Sequence, residues 1–191
     1  GSGLVGSEMC IRDSLNPVNE LIENLDTWVI FLLTVVAAPI FEELLYRKLL
    51  IDRVAHYGDR VAIVLSGVLF GLSHGNFYQF FYAFGLGVVF AYVYINTGKL
   101  RYTVIFHAVI NFMGSIVALH AADNIWFAMA YGIFMIAAVV LGIVFLILYR
   151  REIRLKPAML AIPRGRRFET LFLNLGMILF FFVSVGLFLF S

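Results

Sequence analysis

VAIVLSGVLFGLSHGNFYQFFYAFGLGVVFAYVYINTG, residues 61–98, contains no Asp, Glu, Lys or Arg. A bilayer core of about 30 Å takes roughly 20 helical residues, so this stretch is too long for one span and must fold back on itself. The break falls at Ser73-His74-Gly75-Asn76, which predicts helices over 61–74 and 77–96. Upstream, the uncharged run Thr27–Phe41 continues into FEELLYRKLL, predicting one long helix over about 27–55. Downstream, Tyr102–Ala122, Asn124–Tyr149 and Thr170–Phe190 are three further apolar helices. The chain is 62% hydrophobic and 14% charged, against about 45–50% and 25% for a soluble domain. Its mean hydropathy of +0.96 excludes a soluble globular fold and disorder. Long continuous apolar segments, instead of alternating pieces of about 10 residues, argue against a β-barrel. The predicted fold class is all-α, a polytopic transmembrane helix bundle of about six spans.

Residues 1–14, GSGLVGSEMCIRDS, do not match the rest. They lack the apolar core of a signal peptide and read as a non-native tail. Residues 15–191 are expected to form a single transmembrane domain with its catalytic core at 27–119. Cys10 is the single cysteine, so no intrachain disulfide forms and no thiol nucleophile sits in the membrane body.

Every basic residue except Arg12 falls in three connections, around the turn after the first helix, at Lys99 and Arg101, and between Arg150 and Arg167. The positive-inside rule makes these connections cytoplasmic. The last one sets topology and contacts anionic headgroups, with no reason to invoke nucleic acid. The expected location is a prokaryotic cytoplasmic membrane, with the site toward the cytoplasm.

Polar residues inside apolar helices are costly and mark functional candidates. Glu42, Glu43 and Arg47 lie on the first helix, where Glu43 and Arg47 share a face at i, i+4. Glu42 points about 100° away, free of that pair. A structural ion pair alone accounts for Glu43 and Arg47 and leaves Glu42 unexplained. Phe70 and His74 lie at the end of the second helix, with Ser73 and Asn76 beside them. His107 and Asn111 share a face of the fourth, an arrangement that also suits a simple interhelical hydrogen bond. His56 and His120 read as interfacial. Glu42 and His74 are equally far in sequence from the turn at Gly58, hence at one height, and His107 joins them if that hairpin projects about 12 Å further. Gly67 and Gly71 form a GxxxG spacing that lets helices approach.

Two chemistries suit this set. A desolvated glutamate acts as general base, while histidine and asparagine polarise water and hold an oxyanion, which together hydrolyse an amide. Alternatively, Glu42, His74 and His107 form the ligand set of a catalytic zinc. No HExxH, GxSG or GxGD pattern offers a competing intramembrane chemistry.

FEELLYR (Glu42, Glu43, Arg47) resembles the EExxxR motif of the CPBP family, the CAAX-protease and bacteriocin-processing or Abi proteins. FGLSH (Phe70, His74) and HAVIN (His107, Asn111) resemble its FxxxH and HxxxN motifs, in the same order. The resemblance implies an α-helical intramembrane endopeptidase, of the kind that includes the Ras-converting CAAX protease. It implies that Glu42 activates water with His74 assisting, that His107 and Asn111 hold the oxyanion, and that Glu43 and Arg47 support their helix. The family has been described both as zinc-dependent and as metal-free, so no cofactor is certain and zinc stays open. Family members carry more helices before the EExxxR helix, and N-terminal truncation is expected. The expected partners are a peptide or protein substrate and the lipid bilayer. Kept beside the peptidase are a non-catalytic bacteriocin-immunity or partner-binding membrane protein of the same family, and a transporter. The transporter would show paired half-helices or an internal repeat, and neither is visible.

Overall fold

Gly58 reverses the chain between its first two helices at φ +98°, a conformation that costs glycine nothing. This and the following description come from a computed structural model, which describes residues 26–121, 123–160 and 166–190. The non-native reading of residues 1–14 lies outside the described residues. Helix α1 runs Thr27–Tyr57, α3 Phe77–Thr97, α4 Leu100–Ala121 and α5 Ile125–Tyr149. Between α1 and α3 lies α2, Asp59–Leu72. After α5 come a short α6, Arg167–Phe172, and α7, Leu175–Phe190. No strand occurs among the described residues, as an all-α bundle requires.

All six predicted helices are present, but they are not six equal spans. Among the described residues α1, α3, α4 and α5 are long and apolar enough to cross a membrane. Helix α2 has 14 residues and rises about 21 Å, short of a bilayer core. The predicted Thr170–Phe190 helix is broken at Leu173-Asn174, so its apolar part, Leu175–Leu189, is also short. Helix α2 ends at Leu72, which leaves His74 in the turn and not on the helix.

Helix α1 is not uniformly wound. Phe31–Ala37 and Leu44–Ile51 are π-helical stretches on either side of an α-helical Ala38–Glu43. Pro39 lacks an N–H and displaces the preceding turn, which accounts for the first loose stretch. Such widened turns recur at functional sites, and here they bracket the two glutamates.

Small residues join α2 to α3. A Cβ on Gly71 would lie 3.0 Å from the Phe80 carbonyl oxygen, and one on Gly87 would lie 3.0 Å from the Gly67 Cα. The expected GxxxG approach is therefore present, completed from the other helix by Gly87. Tyr46, Leu65, Leu69, Phe70 and Ala83 form one buried cluster, against which α6 and α7 pack Leu171, Met177, Phe180 and Phe181. A Cβ on Gly75, at φ +69°, would meet the Leu187 Cβ at 3.0 Å, so α7 lies directly on the turn that carries His74. The segment after α5 returns to the α1–α2 turn. There the Lys156 N–H donates to Asp59 Oδ2 at 2.7 Å, and the Met159 and Leu160 N–H groups donate to the His56 carbonyl, each at 3.0 Å.

Candidate active site

Arg47 is the fixed point of the site. Guanidinium and carboxylate are complementary forks, and α-helical spacing brings Glu43 under Arg47. Both side chains are fully buried. Arg47 Nε donates to Glu43 Oε2 at 2.9 Å and Nη2 donates to Oε1 at 3.2 Å. The third nitrogen, Nη1, donates to Ser66 Oγ on α2 at 2.6 Å, and that hydroxyl donates on to the Tyr46 carbonyl at 3.0 Å. A buried charge is tolerable only when paired and fully hydrogen-bonded, and Ser66 completes that requirement. Phe70 and Phe90 cover the guanidinium at 4.9 and 5.7 Å.

Glu43 also reaches α4. His107 Nδ1 lies 3.1 Å from Glu43 Oε1, so the ring donates Nδ1–H to the carboxylate and presents Nε2 on its other side. That Nε2 is 3.8 Å from Glu42 Oε2. Phe70 and Phe90 hold the imidazole between them, each with its ring centre 5.5 Å away. His74 is fixed in the same tautomeric sense, its Nδ1 2.8 Å from the Phe70 carbonyl oxygen and its ring edge-on to Phe70 at 5.0 Å. Both histidines lie close enough to act electrostatically on Glu42.

Glu42 itself differs from its neighbour. Its side chain is 33% exposed, yet Oε2 is buried and has no hydrogen-bond partner among the described residues. Glu42, Glu43, Arg47, His74 and His107 are thus brought together by two helices, α1 and α4, and the turn after α2. Asn111 sits one turn further along α4, where its Nδ2 donates to the Thr34 carbonyl at 2.8 Å. Ser115 Oγ donates to the Asn111 carbonyl at 2.6 Å and lies 3.4 Å from Thr34 Oγ1. Asn111 therefore ties α4 to the first loose stretch of α1. His56 lies against the Tyr57 ring at a tilt and His120 Nδ1 bonds the Ile116 carbonyl, both apart from this group.

Glu42 with the two free imidazole nitrogens is a chemically sensible zinc donor set. However, among the described residues no three His, Cys, Asp or Glu side chains are grouped so as to hold a metal ion.

Sequence reasoning did not find Ser66, Phe90 or Thr34. Ser66 carried a signal, as the one hydroxyl within the apolar run Val61–Leu72. The other two have no mark in the sequence.

The family model described as type II CAAX prenyl endopeptidase Rce1-like matches residues 24–113. That segment holds every residue of the site described above. No curated protein and no solved structure matches the chain.

Proposed function

Residues 24–113 belong to the type II CAAX prenyl endopeptidase Rce1-like family, and on that premise we propose that this integral membrane protein is a peptidase whose general base is Glu42. The observation that carries the reading is the Glu42 carboxylate. One of its oxygens is buried and unbonded beside His107 Nε2, while Glu43, next in sequence, is fully engaged by Arg47 and His107.

Glu42 takes a proton from water, and the resulting hydroxide adds to the scissile carbonyl carbon of a peptide or protein at the membrane. The carbonyl electron pair moves onto oxygen. When it returns, the C–N bond breaks and the leaving nitrogen takes the proton from Glu42. His74 and His107 orient the water through their Nε2 atoms, and Asn111 stands one turn from His107 toward the oxyanion. Glu43 fixes the His107 tautomer and ring plane.

Glu42→Gln keeps the shape and removes the proton acceptor. Peptide cleavage in detergent should fall by the roughly 10²–10⁴-fold attributed to a general base, with the melting temperature level or raised. A Glu42→Gln protein as active as the parent would end this assignment. Chelator-treated parent should keep cleaving; loss of activity restored by zinc would instead reinstate the ligand set Glu42, His74 and His107. The α1–α2 and α3–α4 turns and the α5–α6 connection face the cytoplasm in this reading. A cysteine placed at Asn76 should then react only with reagent added from outside.

A further inference from the structure

One hydroxyl joins α2 to the charged centre of the site. Ser66 is fully buried, as are Glu43 and Arg47. Arginine can only donate, so Ser66 Oγ accepts from Arg47 Nη1 at 2.6 Å, and its one hydrogen goes to the Tyr46 carbonyl at 3.0 Å. The same oxygen therefore grips both the guanidinium and the backbone of α1, within the loosely wound stretch Leu44–Ile51.

From Ser66 onward the direction of each bond is forced. Arg47 donates Nε and Nη2 to the two Glu43 oxygens. An ionised carboxylate only accepts, so His107 Nδ1, 3.1 Å from Glu43 Oε1, must donate. That leaves His107 Nε2 as an acceptor, 3.8 Å from Glu42 Oε2. A line of bonds thus runs from the Tyr46 carbonyl through Ser66, Arg47 and Glu43 to His107, and its far end borders the unbonded Glu42 oxygen. A carboxylate held by two nitrogens of one guanidinium can still pivot with it. Nη1 is the third point of hold, and Ser66 is its partner. Phe70 and Phe90 cover the guanidinium, but an aromatic face attracts a cation without fixing its direction as a hydrogen bond does. With alanine at position 66 the space stays filled and Nη1 faces a methyl. The Arg47–Glu43 pair is then free to turn as a unit and to carry with it the oxygen that sets His107.

We propose that Ser66 is a positioning residue for the reaction, which holds His107 in its Nδ1–H tautomer and aims Nε2 at the water beside Glu42, acting through Arg47 and Glu43. Ser66 touches no substrate and moves no proton. The inference rests on the peptidase reading above and adds to it a residue that lies in none of the three motifs.

The test uses the full chain in detergent, with a fluorogenic peptide and with 15N-labelled histidine, whose spectrum distinguishes the two neutral tautomers. The His107 signals are assigned by their loss in His107→Gln. Misplacement of a reacting group by about 1 Å costs up to about 10²-fold, so Ser66→Ala, assayed below its melting temperature, should lose roughly 10–100-fold in kcat with KM within about threefold of the parent. Its His107 should pass from a single Nδ1–H tautomer to a mixture. Ser66→Thr, which keeps the hydroxyl, should restore the single tautomer and most of the kcat. Ile63→Val loosens the same helix without touching these bonds, and should melt lower with kcat within about threefold of the parent. A Ser66→Ala protein that melts lower but keeps its kcat and the parental His107 signals overturns the proposal and leaves Ser66 a merely structural partner of Arg47. So does an equal loss of kcat in Ile63→Val. Glu42→Gln should keep the parental His107 signals, so an active Glu42→Gln protein ends the assignment of the base without bearing on Ser66. If the parent cleaves no peptide tested, the spectrum decides alone: a tautomer mixture in Ser66→Ala supports the positioning role, and an unchanged His107 overturns it.

Discussion

Helices α2 and α3 use the same apolar alphabet as α5, yet the two regions behave differently. Along α2 and α3 the backbones meet at Gly67, Gly71 and Gly87, and residues such as Ala62, Leu69, Phe70, Ala83 and Phe90 are removed from the surface. No residue of α5 is buried, and a Cβ added at Gly132 or Gly142 would meet nothing within 4 Å. Its recorded ties are a short one to the end of α4, with the Tyr131 hydroxyl donating to the Met113 carbonyl at 2.8 Å, and its own Asn124 cap. Lipid tails are as apolar as leucine, so hydrophobicity places a helix in the bilayer but does not select its neighbours. Small residues and satisfied polar groups make that selection, and both are concentrated between α1 and α4.

The largest stability effect should come from breaking the ion pair at the centre of the packed half. Glu43→Gln leaves Arg47 half-paired and His107 without its carboxylate. Removing one member of a buried pair costs about 3–5 kcal/mol, so both melting temperature and cleavage should drop. Glu43→Gln combined with Arg47→Met should recover part of that stability but not the activity. If Glu43→Gln melts like the parent, the polar centre is not what holds the packed half together.

Glycine sharpens the same contrast. Gly71→Ala drives a methyl against the Phe80 carbonyl oxygen and should cost about 1–3 kcal/mol, as overpacking does. Gly142→Ala on α5 should stay within about 0.5 kcal/mol, as at an unconstrained surface site. Paired unfolding curves in detergent decide this, and equal effects at the two glycines would erase the difference between the regions. The most local effect is expected at Asp59. Asp59→Ala removes the buried carboxylate that receives the Lys156 N–H, while the residue 59 N–H keeps its bond to the Lys156 carbonyl, so one hydrogen bond is lost and the effect is local. Limited proteolysis should then cut the 150–160 segment sooner. Unchanged cutting would show that the backbone bonds, from the residue 59 N–H to the Lys156 carbonyl and from the Met159 and Leu160 N–H groups to the His56 carbonyl, hold the segment without the carboxylate.

How much of this was legible in the sequence follows the reach of each interaction. The Glu43–Arg47 pair, the turn at Gly58 and the GxxxG approach depend on neighbours a few residues apart, where helical periodicity suffices. Equal heights were readable for Glu42 and His74, whereas the meeting of His107 with Glu42 followed only if the α1–α2 hairpin projects about 12 Å further than the α3–α4 turn. The tie between Asn111 and Thr34 was not readable, since it depends on a carbonyl in the loosely wound part of α1, and nothing in the residue types announces where a helix widens. Ser66 as third partner of Arg47 lay between these extremes. A lone hydroxyl on an apolar helix asks for a partner without saying which. Helix ends failed for a related reason: the apolar run carried the predicted end of α2 two residues past Leu72 into the turn, and hid the break at Leu173-Asn174 that shortens α7.

Gly75 and Leu187 bear on how the protein could be cut down. The family-matched segment, residues 24–113, holds all the side chains of the site, which invites its use as a minimal unit. But the His74 turn is roofed by Leu187, and Phe188 meets Phe77 edge-on at the start of α3, with ring centres 4.9 Å apart. Both come from the far end of the chain. An excised 24–113 fragment would carry its chemistry with one wall missing, so the C-terminal helix belongs in any minimal catalytic unit even though it supplies no reacting group.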